Sequence, residues 1–334
     1  MKMQRLTILA GMALAGVAAG PRFSVALPPS SGGVLINETF DSYIDQFDFE
    51  SVWQPRPGAF PPPFPGPPEP LLGVLLPQGS PLVVPPNDFP PDMEGQAVYI
   101  QHGLNVYAGP ALPELATLAP TVADSIRLTA DMFDDTLPNK RVTVGLRNSS
   151  VPANIIELGR WNASVFDPTE PLGSPPTTTI PSTGFAYRVV QFGPVGGALL
   201  RQPNFQYFPL DQALERPFDA DELVRPEDVG PGWHRYSATI GVDFVTLTLD
   251  LFRDGRNNAT GLPGVDSTVT WEISPRMGIP FDSLRIGSPS GLTSIFGAVV
   301  DNVRLELVPV PEPATLIQTA GVAFGIVLMR ARRR

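Results

Sequence analysis

Cysteine is absent from all 334 residues, which removes disulfides, thiolate metal sites and thiol nucleophiles together. Histidine occurs only twice, as His102 and His234. Neither has a second histidine at metal-ligand spacing, so each reads as a structural or surface residue. No Gly-x-Ser-x-Gly elbow and no phosphate-cradling glycine loop occurs. Charge is sparse and one-sided: 17% of residues are charged and the formal net charge is -10. Such a surface repels nucleic acid and suits hydrated surroundings or divalent cations. Long uninterrupted helices are also excluded, because 41 prolines and 31 glycines punctuate the chain.

Both ends depart from this pattern. At the N-terminus Lys2 and Arg5 precede an apolar run from Leu6 to Ala19, followed by the small-residue sites Val17-Ala18-Ala19 and Ser24-Val25-Ala26. That order predicts a signal peptide over 1–26 and export through the secretory translocon. At the C-terminus Val310-Pro311-Glu312-Pro313 leads into an apolar stretch from Ala314 to Met329, closed by Arg330, Arg332, Arg333 and Arg334. As a helix, residues 314–329 would span roughly 24 Å. That is slightly short of a hydrocarbon core of about 30 Å, a gap that snorkelling arginines cover. Basic flanks stay cytoplasmic, so the body of the chain is expected outside.

The tail over 309–334 resembles the bacterial PEP-CTERM sorting signal, in which a Pro-Glu-Pro box, one membrane span and an arginine cluster follow in that order. The box here is Pro311-Glu312-Pro313, and the cluster is Arg330 to Arg334. The resemblance implies a partner, an exosortase-type membrane protease that recognises the box and removes the span. It also implies a route: an inner-membrane-anchored precursor, then the cell envelope or extracellular space. Gln318 is a polar departure within the span.

Between the ends the hydrophobic period is two. Val34-Leu35-Ile36, Ala97 to Ile100, Ser125 to Met132, Arg141 to Leu146, Ile155 to Leu158 and Phe185 to Val190 read as strands. So do Trp233 to Ile240 and Phe244 to Phe252, paired about a Gly241-Val242-Asp243 turn, then Thr268 to Ile273, Ser283 to Ile286 and Ala298 to Leu307. One apolar and one polar face per strand predicts an all-β, antiparallel β-sandwich over 34–308. Ile44 to Trp53 reads as one short amphipathic helix, with Phe40, Phe47 and Trp53 as core anchors. Residues 54–91 contain 15 prolines and read as a polyproline or irregular surface excursion. Within it, Leu71 to Leu76 and Leu82 to Val84 retain the pattern of sheet-edge strands.

Phe40-Asp41-Ser42-Tyr43 with Trp53, Gly232-Trp233-His234-Arg235-Tyr236, Asp250 to Gly255 and Val300-Asp301-Asn302-Val303-Arg304-Leu305 are similar to segments of exported concanavalin A-like (laminin-G-like) jelly-roll domains. The resemblance implies that the final Asp-Asn strand returns beside the first. The proline-rich segment and the stretch from Asp167 to Pro181 depart from that family.

Oxygen-rich side chains gather at Asp250, Asp254, Asn257, Asn258 and Asp266, a candidate Ca2+ loop whose spacing is not that of an EF-hand and equally suits a β-turn. Trp161, Tyr187 and Trp233, together with Trp271, are candidates for stacking on sugar rings, or core residues. Asp131, Asp134 and Asp135 form the nearest approach to a glycosidase carboxylate pair, with Asp134 and Asp135 expected in a turn. The favoured expectation is a non-catalytic exported protein that binds carbohydrate; the alternative is a secreted polysaccharide hydrolase on the same fold.

Overall fold

The computed structural model describes residues 32–56, 73–76, 95–100, 103–137, 140–148, 153–161, 164–165, 178–179, 184–191, 205–210, 226–273, 280–288 and 297–310. The signal peptide, His102, most of the proline-rich segment and the sorting tail beyond Val310 lie outside these residues.

Seventeen strands are described. They run β1 (Gly33–Glu38), β2 (Trp53–Arg56), β3 (Val74–Leu76), β4 (Ala97–Ile100), β5 (Leu104–Tyr107), β6 (Asp124–Asp134), β7 (Val142–Arg147), β8 (Ile155–Trp161) and β9 (Ser164–Val165). The series continues with β10 (Thr178–Thr179), β11 (Gly184–Val190), β12 (Gln206–Tyr207), β13 (Gly232–Ile240), β14 (Phe244–Asp250), β15 (Ser267–Glu272), β16 (Ser283–Gly287) and β17 (Ala298–Pro309). Three short helices interrupt them, α1 (Gln46–Val52), α2 (Leu112–Leu115) and α3 (Pro226–Val229).

Alternation drives the architecture. On β6, Ile126, Leu128, Ala130 and Met132 are buried in one core with Tyr236, Ala238 and Ile240 of β13 and Val245, Leu247 and Leu249 of β14. Facing them across the core are Val142, Val144 and Leu146 of β7, Ile156 and Leu158 of β8, and Leu284 and Ile286 of β16. Burying each such aliphatic side chain is worth about 1.5–3 kcal/mol, so the two apolar faces hold the layers together as an antiparallel sandwich.

The larger sheet has eight strands, in the order β15-β14-β13-β6-β17-β4-β3, with β1 also on β17. The smaller has seven, β12-β11-β8-β7-β16-β5-β2. The β13–β14 hairpin closes as the sequence predicts: Ile240 opposes Val245, and the Gly241 N–H donates to the Phe244 carbonyl at 2.8 Å. The last strand lies beside the first, with Gly33 opposite Leu307 and Glu38 opposite Val303. β3 is an edge strand, within the Leu71 to Leu76 stretch that reads as one. β2 takes Pro55 at the edge of the smaller sheet, where a missing N–H costs no ladder bond.

Four expectations are corrected. Helix α1 begins after Asp45, whose side chain caps it by accepting from the Asp48 N–H at 2.9 Å. The capped register turns Phe49 inward to Phe40, Tyr43 and Trp53 and leaves Phe47 82% exposed. β7 and β8 are buried on both faces, so Thr143, Glu157 and Arg160 are polar residues without an open side. β14 stops at Asp250, because Phe252 and Arg253 take left-handed φ values of 63° and 55° and turn the chain. Asp134 ends β6 instead of lying in a turn.

Candidate functional site

The outer face of the larger sheet is ordered into rows by the strand registers. One row crosses the sheet through Thr268, Thr248, Ser237 and Thr129 and then meets Arg304 and Asn37. The next passes through Thr270, Thr246 and Thr239 to Arg127 and Glu306. These hydroxyl residues alternate with core residues on every strand, and all are at least partly open to solvent. Thr246 Oγ1 and Thr270 Oγ1 share a hydrogen bond of 3.1 Å.

A third row is charged: Asp250, Arg235, Asp131 and Asp301 lie in register. Asp131 is fully buried and accepts from Arg235 Nε at 2.8 Å through Oδ1. Its Oδ2 accepts from Arg235 Nη2 at 3.0 Å, Arg253 Nη1 at 3.1 Å and Asn302 Nδ2 at 3.1 Å. The bond to Asp131 raises the guanidinium pKa of Arg235. Asp301 follows a different course. Burial pushes its carboxyl up to about 7, Asp131 and Asp41 push the same way, and the Asn302 N–H and Arg253 only partly offset them. Asp250 is likewise pushed up to about 6 by burial, against the Gly255 N–H. At Glu306 burial acts upward, but the bonds from Arg304 and Arg127 outweigh it and hold the carboxyl below its ordinary range.

Backbone strain gathers around this row. Phe40, Phe252, Arg253 and Asn302 have φ of 60°, 63°, 55° and 50°, which non-glycine residues adopt at a cost of about 1–3 kcal/mol each. Arg253 and Asn302 bond Asp131 directly, and Phe40 precedes Asp41. A fourth row is apolar: Trp233, Phe133, Val299, Tyr99 and Val74 stand in register. Arg253 lies 5.3 Å over the Trp233 ring and so ties the charged row to the apolar one.

A second polar group is enclosed between the sheets. Lys140 and Arg160 are each 1% exposed and pair with Asp134, while Lys140 also pairs with Asp135. His234 packs edge-on to Phe185 with ring centroids 5.0 Å apart, and Arg160 lies over the same Phe185 ring at 5.5 Å. The Phe252 N–H donates to His234 Nδ1 at 3.2 Å, which leaves the proton of a neutral ring on Nε2. Burial, with Arg160 and Lys140 adding, pulls the imidazole down to about 3. Closed to solvent, this group has the form of a structural nucleus.

The candidate Ca2+ loop is closed by its own hydrogen bonds. Asp266 accepts from the N–H groups of Leu251 and Asn258, both at 2.6 Å. Asp250 accepts from the Gly255 N–H at 3.3 Å and Asp254 from the Arg256 N–H at 2.8 Å. Asn257 donates to the Val265 carbonyl at 3.1 Å, and Asn258 to the Leu251 carbonyl at 3.2 Å. Among the described residues no group of three or more His, Asp or Glu is placed to hold a metal ion.

The three candidate stacking aromatics are not brought together. Trp161 stacks on Phe205 at 4.5 Å, with Arg141 at 5.7 Å from its ring. Tyr187, on the same sheet, is 5% exposed, bonds Gln206 at 2.9 Å, and burial pushes its phenol up to about 12. Trp233, on the other sheet, is 4% exposed against Phe133. Burial of Tyr187 and Trp233 leaves neither ring open to a sugar. What sequence reading did not assemble is the Arg235–Asp131–Asn302–Asp301 row. The available signal was outward charge at alternate positions of strands that prove to be neighbours.

No family model matches the chain, and no curated protein matches it. Among solved structures it is similar to the CBM2 module of Lactobacillus casei BL23 phage J-1 evolved Dit, at 10% identity and a TM-score of 0.33 over 65% of this chain and 71% of that one. A superposition at that score carries no argument about ligand or activity.

Proposed function

We propose that the chain is a non-catalytic exported protein of the cell envelope or extracellular matrix that binds carbohydrate through the outer face of its larger sheet. In this reading the signal peptide over 1–26 takes it through the secretory translocon. The PEP-CTERM-like tail holds it in the inner membrane until an exosortase-type protease releases it. Among the described residues no helix is long and apolar enough to cross a membrane; the apolar run at 314–329 lies outside them. The concanavalin A-like jelly-roll assignment is supported by the return of β17 beside β1.

The observation that carries the binding reading is the register of the outer rows, which sets hydroxyl, guanidinium and amide groups side by side on an open face. Polar groups converging at fixed positions are what sugar recognition needs. A polysaccharide panel that scores retention and reducing-end release separately tests it. Retention without release is expected; release abolished by Asp131→Asn or Asp301→Asn would overturn it. The intact mass of the mature protein in each cell fraction tests the sorting step, with loss of both termini expected.

One observation favours the hydrolase as a second reading. Asp301 keeps a proton to about pH 7, and a carboxyl that holds its proton near neutrality is what the acid role in a glycosidase needs. Against it, both oxygens of Asp131 are occupied by Arg235, Arg253 and Asn302.

A further inference from the structure

We propose that the two hydroxyl rows take an uncharged, extended polysaccharide, its chain running across the strands from β15 to β6 with about one sugar unit per strand; this rests on the carbohydrate-binding reading above.

The direction follows from the geometry. Neighbouring strands lie about 4.8 Å apart, close to the length of one sugar ring in an extended chain, whereas outward positions along a strand repeat only every ~6.8 Å. Across the sheet the first row repeats a hydroxyl on four successive strands, from Thr268 through Thr248 and Ser237 to Thr129. Along any one strand at most two hydroxyls follow one another before a charged or apolar row intervenes. A repeating ligand therefore meets a repeating partner only when it crosses the strands.

The absence of ligand charge follows from the neighbours. Each guanidinium bordering the rows already has a carboxylate partner. Arg127 and Arg304 both close on Glu306, while Arg235 and Arg253 both close on Asp131. Among the described residues every one of these cations is already engaged, two to each carboxylate, which weakens its pull on a uronate or sulfate, and the chain's net charge of -10 repels polyanions at longer range. The hydroxyl stretches, Thr268 to Thr129 in one row and Thr270 to Thr239 in the other, carry neither charge nor aromatic rings, so discrimination there falls to hydroxyl hydrogen bonds. Threonine suits that role because its branched side chain restricts χ1 and holds the hydroxyl in few directions. Where Thr246 and Thr270 share a hydrogen bond, one hydroxyl hydrogen is still free to point outward.

Such bonds are individually weak against water, so affinity should build with length and stop when the row is filled. The test uses the full chain in detergent on an array of linear oligomers. The neutral set is β-1,4-glucan, β-1,3-glucan, β-1,4-mannan and β-1,4-xylan, two to six units long; the charged set is alginate and polygalacturonate. At least one neutral series is expected to tighten about tenfold between two and four units and then level off. The double variant Thr239→Val, Thr248→Val keeps shape and strand propensity, and is expected to lose about tenfold in affinity with an unchanged melting temperature. Tightest binding to alginate, weakened by Arg235→Ala, would overturn the inference and leave carbohydrate binding standing. Neutral binding untouched by the valine pair would overturn the assignment to these rows. Silence across the whole array would sink both this inference and the reading beneath it.

Discussion

Asp131 and Asp301 sit opposite one another on β6 and β17 and share a single donor, the side-chain amide of Asn302, at 3.1 and 3.3 Å. Two acceptors on one nitrogen lie within two hydrogen-bond lengths, about 6 Å. The arrangement sits at a bulge, where the β17 register shifts between Asp301 and Arg304. The extra residue turns Asn302 onto the charged row.

Asn302→Ala should therefore cost about 2 kcal/mol. It removes a donor to buried Asp131 and leaves a non-glycine residue at a φ of 50°. Urea denaturation measures the loss. Asn302→Gly, which relieves the backbone but not the missing donor, should cost less than the alanine.

The pH dependence of stability should contain two opposing contributions. Asp301 has a folded pKa near 7, above its ordinary 3.8, so the folded state binds the extra proton. Its contribution to stability is greatest below pH 3.8 and is lost as pH rises to about 7. His234 has a folded pKa near 3, below its ordinary 6.5, so its contribution is full above pH 6.5 and is lost as pH falls to about 3. Between pH 4 and 6.5 the two slopes oppose each other, each at most about 1.4 kcal/mol per pH unit. Asp301→Asn should make stability rise more steeply with pH across that window, and His234→Gln should make it fall. Unaltered slopes in both variants would show that neither group titrates as described.

Gly159→Ala should be among the most damaging single changes, about 3 kcal/mol or more. Gly159 has a φ of 149°, and an added Cβ would meet the Val142 carbonyl oxygen at 2.3 Å. Gly255→Ala, at a φ of 66° with nothing within 4 Å of the new Cβ, should cost only about 1 kcal/mol. Thermal melts of the two variants would compare steric conflict with backbone strain alone.

Asp134→Asn should destabilise by about 3–5 kcal/mol, because it strips a carboxylate from buried Arg160 and Lys140 and leaves cations without full compensation. Chemical denaturation against the parent checks this. A cost near zero would mean that the enclosed nucleus contributes little to the fold.

The strands were legible because apolar alternation is local: β6, β13 and β17 fall where period two places them, and β14 does as far as Asp250. β5 was not, since Leu104 to Tyr107 offers only four residues and one clear alternation. Phe47 and Phe49 were indistinguishable until the Asp45 cap fixed the helix register. The charged row stayed hidden for another reason. Asn302 and Asp131 are 171 positions apart, and their contact depends on one strand pairing and the bulge within it. Double-sided burial of β7 and β8 likewise depends on what covers a sheet, which a strand's own pattern does not state.

The position of β17 bears on the order of events during biogenesis. It is the last described strand, yet it lies inside the larger sheet, against β6 on one side and β4 and β1 on the other. A nascent chain that has not yet reached Ala298 leaves β6, β4 and β1 each with a vacant flank. Until synthesis has passed Pro309 the larger sheet lacks this inner strand, and the neighbours it joins stay unbridged.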